Sequence, residues 1–130
     1  MAANDFNPDT DIPSLAGKVI FITGGKFQRQ PTSLRLPLTT ATGTAGLGAG
    51  SIAALAKHDP AHIFFSGRNE QSATKLISSI HATTPNANLT FFKCDISSLK
   101  SVQECARLIT SQTSRLDILM LNAGIMATPP

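Results

Sequence analysis

Tryptophan and tyrosine are absent from this chain of 130 residues, and cysteine occurs only twice. Cys94 and Cys105 do not stand at the spacing of metal ligands, and two cysteines do not make a disulfide framework. The sequence therefore predicts no metal site. Such cysteine usage is typical of a reducing compartment, and we expect a cytoplasmic protein.

Long apolar runs are also missing from the chain. A membrane-spanning helix needs about 20 consecutive apolar residues, and no run approaches that length. Residues 1–14 are polar and carry Asp5, Asp9 and Asp11, so they lack the cationic start and apolar core of a signal peptide. We predict a flexible lead-in over residues 1–14, a partial domain over residues 15–130, and no membrane partner.

Charge is sparse, at 15% of residues, and the net charge is +3. The excess comes from Lys26, Arg29 and Arg35, which lie in residues 26–43, a segment without any acidic residue. The other eight of the eleven basic residues balance eight acidic ones. Because no basic helix and no alternation of aromatic and basic residues occurs elsewhere, we expect no nucleic-acid partner.

The rest of the chain alternates short apolar runs with helical patterns. The runs predict strands at residues 19–22, 62–66, 89–93 and 118–121. Asn69 is a candidate N-cap for the second helix, and Ser97 or Ser98 for the third. The predicted apolar helix faces are Ile52, Leu55 and Ala56; Ala73, Leu76, Ile77 and Ile80; and Leu99, Val102, Ala106 and Ile109.

This alternation predicts an α/β fold with a parallel sheet, because a helix between consecutive strands returns the chain to the same end of the sheet. We expect the strand order 3-2-1-4, with the sheet truncated after strand four. Ligands of such sheets bind where the strand order reverses, which here is the crevice between strands 1 and 4.

Glycines lie at that crevice. Thr23 and Gly24 end the first strand, and Gly46, Leu47 and Gly48 precede the first helix. A phosphate that approaches a helix N-terminus needs bare backbone N–H groups with no Cβ in the way. These five residues are therefore candidates for a phosphate-binding turn, with an ordinary glycine turn as the alternative.

The end of the second strand bears on the choice of cofactor. NAD sites commonly place an acidic residue about 20 residues after the glycine turn, where it binds the ribose 2′-hydroxyl. Here that region reads Ser66, Gly67 and Arg68, which includes no acidic residue. A cation suits a 2′-phosphate, which favours NADP and leaves NAD as the second choice. The alternative is a solvated arginine in a turn.

Together these motifs resemble the N-terminal half of the short-chain dehydrogenase/reductase family, over residues 15–126. The family's cofactor motif is Thr-Gly-x-x-x-Gly-x-Gly. Without residues 26–43 the chain matches it with Thr23, Gly24, Gly25, Thr44, Ala45, Gly46, Leu47 and Gly48. The resemblance implies a Rossmann-type fold that binds NAD(P).

Further site residues are implied by the same resemblance. Leu121 stands where the family's Asn-Asn-Ala-Gly motif has its first asparagine. The implied contacts are Asp95 and Ile96 at the adenine, and Asn122, Ala123 and Gly124 along the ribose. The alternatives are a helix-capping acid for Asp95 and a turn residue at the strand end for Asn122.

Catalysis in this family uses a Ser and a Tyr-x-x-x-Lys pair, in which the tyrosine acts as general acid. Since the chain has no tyrosine, we predict no catalytic residue in it. The resemblance implies that the complete protein is an NADP-preferring oxidoreductase for a small-molecule carbonyl or alcohol, with a homo-oligomer left open. The alternative is a non-catalytic Rossmann-type module that binds a nucleotide or a protein. The substrate is not predicted.

The interruption of the glycine motif, residues 26–43, has two interpretations. It is either an inserted loop, since long loops without regular structure are uncommon and usually functional or disordered, or a retained intron in a translated gene sequence. The second interpretation is compatible with the genetic code, because Gly25, Lys26 and Phe27 can be encoded by GGT-AAG-TTC, which contains a GTAAGT splice donor. In-frame removal restores the motif without a scar.

Overall fold

The computed structural model of the chain describes residues 5–24 and 47–123. The predicted insertion at residues 26–43 lies outside these ranges. Strands and helices alternate strictly in the described part. They are β1 (Val19–Thr23), α1 (Leu47–Ala56), β2 (His62–Gly67), α2 (Glu70–Thr83), β3 (Leu89–Lys93), α3 (Leu99–Gln112) and β4 (Ile118–Leu121).

The four strands form one parallel sheet in the order β3-β2-β1-β4, which confirms the predicted topology. The central strand β1 pairs on both sides, so that Ile20 lies opposite Ile63 of β2 and Ile118 of β4. Ile20 and Ile22 are completely buried. A strand covered on both faces reads as a continuous apolar run, which is why β1 shows no alternation in the sequence.

Helices cover both faces of the sheet. One core cluster joins Ile20, Ile22 and Ile63 to α1 and α2, through residues such as Ile52 and Leu76. The second cluster lies on the other face and joins the sheet to α3. Its members are Val19, Phe64, Phe92, Cys94, Cys105 and Ile109. The sheet is therefore the middle layer of three.

The helix starts follow the predicted caps. The Asn69 side chain accepts a hydrogen bond from the Ser72 N–H at 3.1 Å and caps α2. Ser98, one of the two candidates for α3, accepts from the Ser101 N–H at 3.3 Å. Each cap satisfies a backbone donor that the first helical turn leaves without a partner.

The predicted buried face of α3 is wrong at three of its four positions. Leu99 is 81% exposed, and Val102 and Ala106 are also exposed. Cys105 and Ile109 are the buried residues of α3, one helical turn apart on the stripe that faces the sheet. The face that packs against the sheet is therefore the one with Cys105 and Ile109, which shares only Ile109 with the predicted face.

Cys105 lies with Cys94 in the cluster beneath α3, and both thiols are free. Burial, with a smaller contribution from neighbouring Cys94, raises the pKa of Cys105 to about 11. The thiol is therefore protonated at neutral pH, and the thiolate is the reactive form of cysteine. Cys105 acts as a small apolar side chain in this core.

Two hydrogen bonds between Asp117 and Val19 hold β4 against β1 at the amino end of the sheet. The Asp117 carboxylate accepts from the Val19 N–H at 2.8 Å, and the Asp117 N–H donates to the Val19 carbonyl at 2.9 Å. Arg115 donates to both oxygens of the same carboxylate, at 2.7 and 3.0 Å. These bonds, first from Arg115 and then from Val19, lower the pKa of Asp117 to about 2.

Residues before β1 contact the C-terminal end of α1. Lys57 Nζ lies 2.7 Å from Asp9 Oδ1, His58 Nε2 lies 2.8 Å from the Pro8 carbonyl oxygen, and the Leu15 side chain is buried.

No helix in the described ranges is long and apolar enough to cross a bilayer.

We predict that β4 promotes self-association of this chain. Leu119 is 53% exposed and Leu121 is 76% exposed on a strand that pairs on one side only within the described residues. Unpaired edges and exposed apolar side chains favour association. The double variant Leu119→Gln/Leu121→Gln should shift the sedimentation profile toward the monomer.

Phe6→Ser is the matched control, because it removes an exposed apolar side chain from a different surface. Equal association of the wild type and the double variant would show that β4 is not the contact.

We also predict that Asp117→Asn destabilises the fold at neutral pH. The pKa of Asp117 is lowered from 3.8 to about 2 in the folded chain, so its contribution is complete above about pH 4 and is lost as the pH falls toward 2. Urea denaturation at several pH values should show that the difference in the free energy of unfolding between wild type and variant becomes smaller as the pH falls from about 4 toward 2.

Asp5→Asn removes the same charge from the exposed N-terminal segment and should leave the midpoint unchanged. A gap for Asp117→Asn that stays constant down to pH 2 would contradict the assigned role of the carboxylate.

Candidate functional site

Two segments meet at the carboxyl ends of β1 and β4. Thr23 ends β1, and Asn122 and Ala123 follow β4. Asn122 Nδ2 donates to the Gly24 carbonyl at 3.3 Å, and the Ala123 N–H donates to Thr23 Oγ1 at 3.3 Å. These two bonds fix the end of β4 against the turn that leaves β1. The strand order reverses between these two strands, which is where open parallel sheets bind ligands.

Gly24 takes a backbone conformation that suits glycine, with φ of +75°. A Cβ at this position would lie 2.9 Å from both Cα and Cβ of Ala123. The turn after β1 therefore requires glycine for its dihedral angle and for the space around it.

Gly48, near the start of α1, lets the helix approach the end of β1. A Cβ built on Gly48 would collide with the Gly24 carbonyl oxygen and lie 2.6 Å from Asn122 Nδ2. Helix α1 is thus packed directly on backbone. Gly46 and Gly124 lie outside the described residues, as does the side chain of Leu47.

This geometry fits the pyrophosphate-binding turn of a dinucleotide fold. In such turns one glycine makes the tight turn and another permits close packing of helix on strand. Gly24 shows the first property and Gly48 the second. The packing places the N-terminal end of α1, which carries the positive end of the helix dipole, at the carboxyl edge of the sheet.

A second depression lies along the same edge, at the ends of β2 and β3. Arg68, Lys93, Cys94, Asp95 and Ser101 line this space of about 360 Å³, which we call the β2–β3 cleft. Two of the predicted residues, Arg68 and Asp95, are thereby brought together. The two sites share one edge because the strands are parallel and their carboxyl ends coincide.

Asp95 has a structural contact as well as a place in the cleft. Its Oδ1 accepts from the Ser97 N–H at 3.0 Å and from Ser97 Oγ at 2.6 Å, and its N–H donates to Ser101 Oγ at 2.9 Å. The turn before α3 therefore holds this carboxylate in place. The next residue, Ile96, is 49% exposed.

Lys93 and Ser101 were not predicted as site residues. Lys93 is the last residue of β3 and is aligned with Gly67 of β2, so it lies beside the position that precedes Arg68. The rule that neighbouring parallel strands end at the same edge could have identified it. Ser101 had no comparable signal, because its position depends on where α3 sits on the sheet.

Arg68 and Lys93 make no ion pair with any residue in the described ranges, where the ion pairs are Lys57–Asp9, Arg107–Glu104 and Arg115–Asp117. The cleft therefore carries two cations against one carboxylate. No group of three His, Cys, Asp or Glu side chains that could hold a metal ion occurs within residues 5–24 and 47–123.

A sequence profile described as short chain dehydrogenase matches residues 39–130. The chain belongs to the short-chain dehydrogenase family. It is 35% identical over 118 residues to the short-chain dehydrogenase/reductase drtF of Aspergillus calidoustus, across 91% of this chain and 32% of that protein. The match confirms the family that the sequence motifs predicted. This family of oxidoreductases binds NAD(P).

Solved structures share the fold. A short-chain dehydrogenase/reductase of Serratia marcescens matches with a TM-score of 0.64 at 25% identity, over 87% of this chain and 38% of that one. L-sorbose reductase from Gluconobacter frateurii, in complex with NADPH and L-sorbose, matches with a TM-score of 0.67 at 20% identity, over 90% and 37%. The chain spans about a third of the length of these relatives.

The two glycines of α1 give a matched test of the close packing. Gly48→Ala places a Cβ against the Gly24 carbonyl and Asn122, whereas Gly50→Ala places one in open space. We expect Gly48→Ala to destabilise the fold by about 1–3 kcal/mol through overpacking. Gly50→Ala should stabilise it by about 0.5–1 kcal/mol, because alanine is the better helix former.

Urea denaturation of the two variants measures both effects against the wild type. If Gly48→Ala were as stable as Gly50→Ala, α1 would not be packed on the turn as described.

Proposed function

We propose that the complete protein transfers hydride between NADP(H) and a carbonyl or alcohol group of a small molecule, and that this chain supplies the cofactor-binding half. The convergence of Gly24, Gly48 and Asn122 at the carboxyl edge of the sheet carries the proposal. The nicotinamide supplies or accepts the hydride when it is bound. The residues of this chain bind and orient the dinucleotide.

The proposed contacts run along the sheet edge from β4 to β3. Asn122, Ala123 and Gly124 are the proposed ribose contacts, and Asn122 and Ala123 lie beside the switch point. Asp95 and Ile96 lie at the adenine, beyond the end of β3. The pyrophosphate lies between them, at Thr23, Gly24, Gly46, Leu47 and Gly48. The residues Thr23, Gly24, Gly48, Asn122 and Ala123 form what we call the β1–β4 site. This order suits an extended dinucleotide, because the β1–β4 site and the β2–β3 cleft share one edge of the sheet.

The proposed preference for NADP rests on the end of β2. Arg68 lines the β2–β3 cleft without an ion pair among the described residues. A free guanidinium can bind a 2′-phosphate through paired N–H donors, whereas an NAD site commonly has a carboxylate in this region. The complex of L-sorbose reductase with NADPH, a fold relative, supports the same choice.

We further propose that the 130-residue chain by itself binds the cofactor without catalysing hydride transfer. It contains no tyrosine, and the family resemblance assigns the general acid to a Tyr-x-x-x-Lys pair. The proposed organisation is a lead-in over residues 1–14 and a partial domain over residues 15–130 with an insertion at residues 26–43. The proposed setting is the cytoplasm, with a homo-oligomer as one form of the complete protein.

Calorimetric titration with NADPH and NADH tests the proposal on the chain and on a variant that lacks residues 26–43. We expect NADPH to bind more tightly than NADH to both proteins. We expect the deletion to improve the affinity for NADPH by roughly tenfold, because it restores the short motif that directs its glycines to one pyrophosphate.

Gly48→Ala in the deletion variant is the control and should abolish the gain, since it displaces α1 from the turn. Equal affinity with and without residues 26–43 would reject the assigned effect of the interruption. Failure of both proteins to bind either nucleotide at millimolar concentration would reject cofactor binding.

A further inference from the structure

The sign of the charge in the β2–β3 cleft depends on Lys93. Arg68 and Asp95, the two charged residues predicted to contact the cofactor here, would leave the cleft neutral. Lys93 is the third charged residue of the lining and makes the sum positive. A phosphate dianion needs a positive site, because a neighbouring carboxylate opposes it at close range.

The Asp95 side chain is held in place, so it cannot easily rotate away from a bound phosphate to reduce the repulsion between the two anions. Its Oδ1 is held by the Ser97 N–H and hydroxyl, at 3.0 and 2.6 Å, and its backbone N–H is tied to Ser101 Oγ at 2.9 Å. The carboxylate is therefore a fixed negative charge beside the cleft. Arg68 and Lys93 are the two cations that share the described lining of the cleft with it.

The sheet register sets Lys93 beside the residue that precedes Arg68. Gly67 and Lys93 are paired at the ends of β2 and β3, and the Cys94 N–H donates to the Gly67 carbonyl at 2.8 Å. Lys93 is exposed and has no ion pair in the described part of the chain, so its ammonium group is available to a ligand.

We propose that Lys93 is a second specificity-determining residue, which binds the 2′-phosphate of NADP together with Arg68. This inference rests on the proposed function and adds to it a residue that the family motifs do not mark. The guanidinium supplies a planar pair of donors with fixed direction, and the ammonium supplies a compact charge on a flexible stem. Together the two cations suit a phosphate dianion.

The test compares two adenosine nucleotides that differ only in the 2′-phosphate. Calorimetry measures the affinity of the chain for 2′,5′-ADP and for 5′-AMP, in the wild type and in Lys93→Gln, Arg68→Gln, Lys93→Arg and Lys18→Gln. Lys18 precedes β1 at the opposite end of the sheet and is exposed, so Lys18→Gln removes the same charge away from the cleft.

We expect Lys93→Gln to weaken binding of 2′,5′-ADP by about three- to tenfold and to leave 5′-AMP within about twofold of the wild type. Arg68→Gln should act in the same direction, while Lys93→Arg and Lys18→Gln keep the preference. Added salt should narrow the wild-type preference, since the phosphate contact is electrostatic and partly exposed.

Two other results overturn the inference in distinguishable ways. If Arg68→Gln loses the preference and Lys93→Gln keeps it, Lys93 has no role and the NADP proposal stands. If the wild type binds 2′,5′-ADP no better than 5′-AMP, the NADP preference itself fails, and the role of Lys93 fails with it. Thermal denaturation of each variant verifies that an affinity change is not a loss of fold.

Discussion

The rest of the site depends on a contact between backbone atoms: Gly48 of α1 lies directly against the carbonyl of Gly24 at the end of β1. A larger residue at Gly48 would push α1 away from this carbonyl, and a larger residue at Gly24 would collide with Ala123 after β4. The Asn122 side chain, from the segment after β4, donates a hydrogen bond to the same carbonyl. A helix, a central strand and an edge strand must therefore all be in place before the site exists.

The short strand β4 is tied to β1 at both of its ends. Asp117 bonds the first residue of β1 in both directions at the amino end, and Asn122 and Ala123 bond the turn after β1 at the carboxyl end. Four residues of ladder alone would give a weak pairing. Side-chain bonds at the two ends fix the register, and the register determines where Asn122 lies. The structural ion pair and the candidate site are thus linked through one strand.

The fold and most of the β1–β4 site could be predicted from the sequence because they follow from local rules. Alternating strands and helices fix a parallel sheet, and glycines at a strand–helix junction indicate close backbone approach. The contacts that escaped prediction depend on tertiary register. Asp117 bonds Val19, which lies 98 positions away in the sequence. Lys93 can be placed at the β2–β3 cleft only once β3 is aligned with β2. For α3, the apolar periodicity favours a face that shares only Ile109 with the face that packs on the sheet, where Cys105 and Ile109 are the buried residues.

The contact of Gly24 with Gly48 also fixes the two endpoints of the connection between β1 and α1. The entropy of closing a chain between fixed endpoints grows only with the logarithm of its length. A connection of 23 residues, instead of the five left without residues 26–43, raises that cost by about 1.4 kcal/mol. That increase is small beside the about 5–15 kcal/mol that holds a domain together. Whole codons can therefore be gained or lost at this junction while the sheet still forms, and selection on its length would act through ligand affinity rather than through folding.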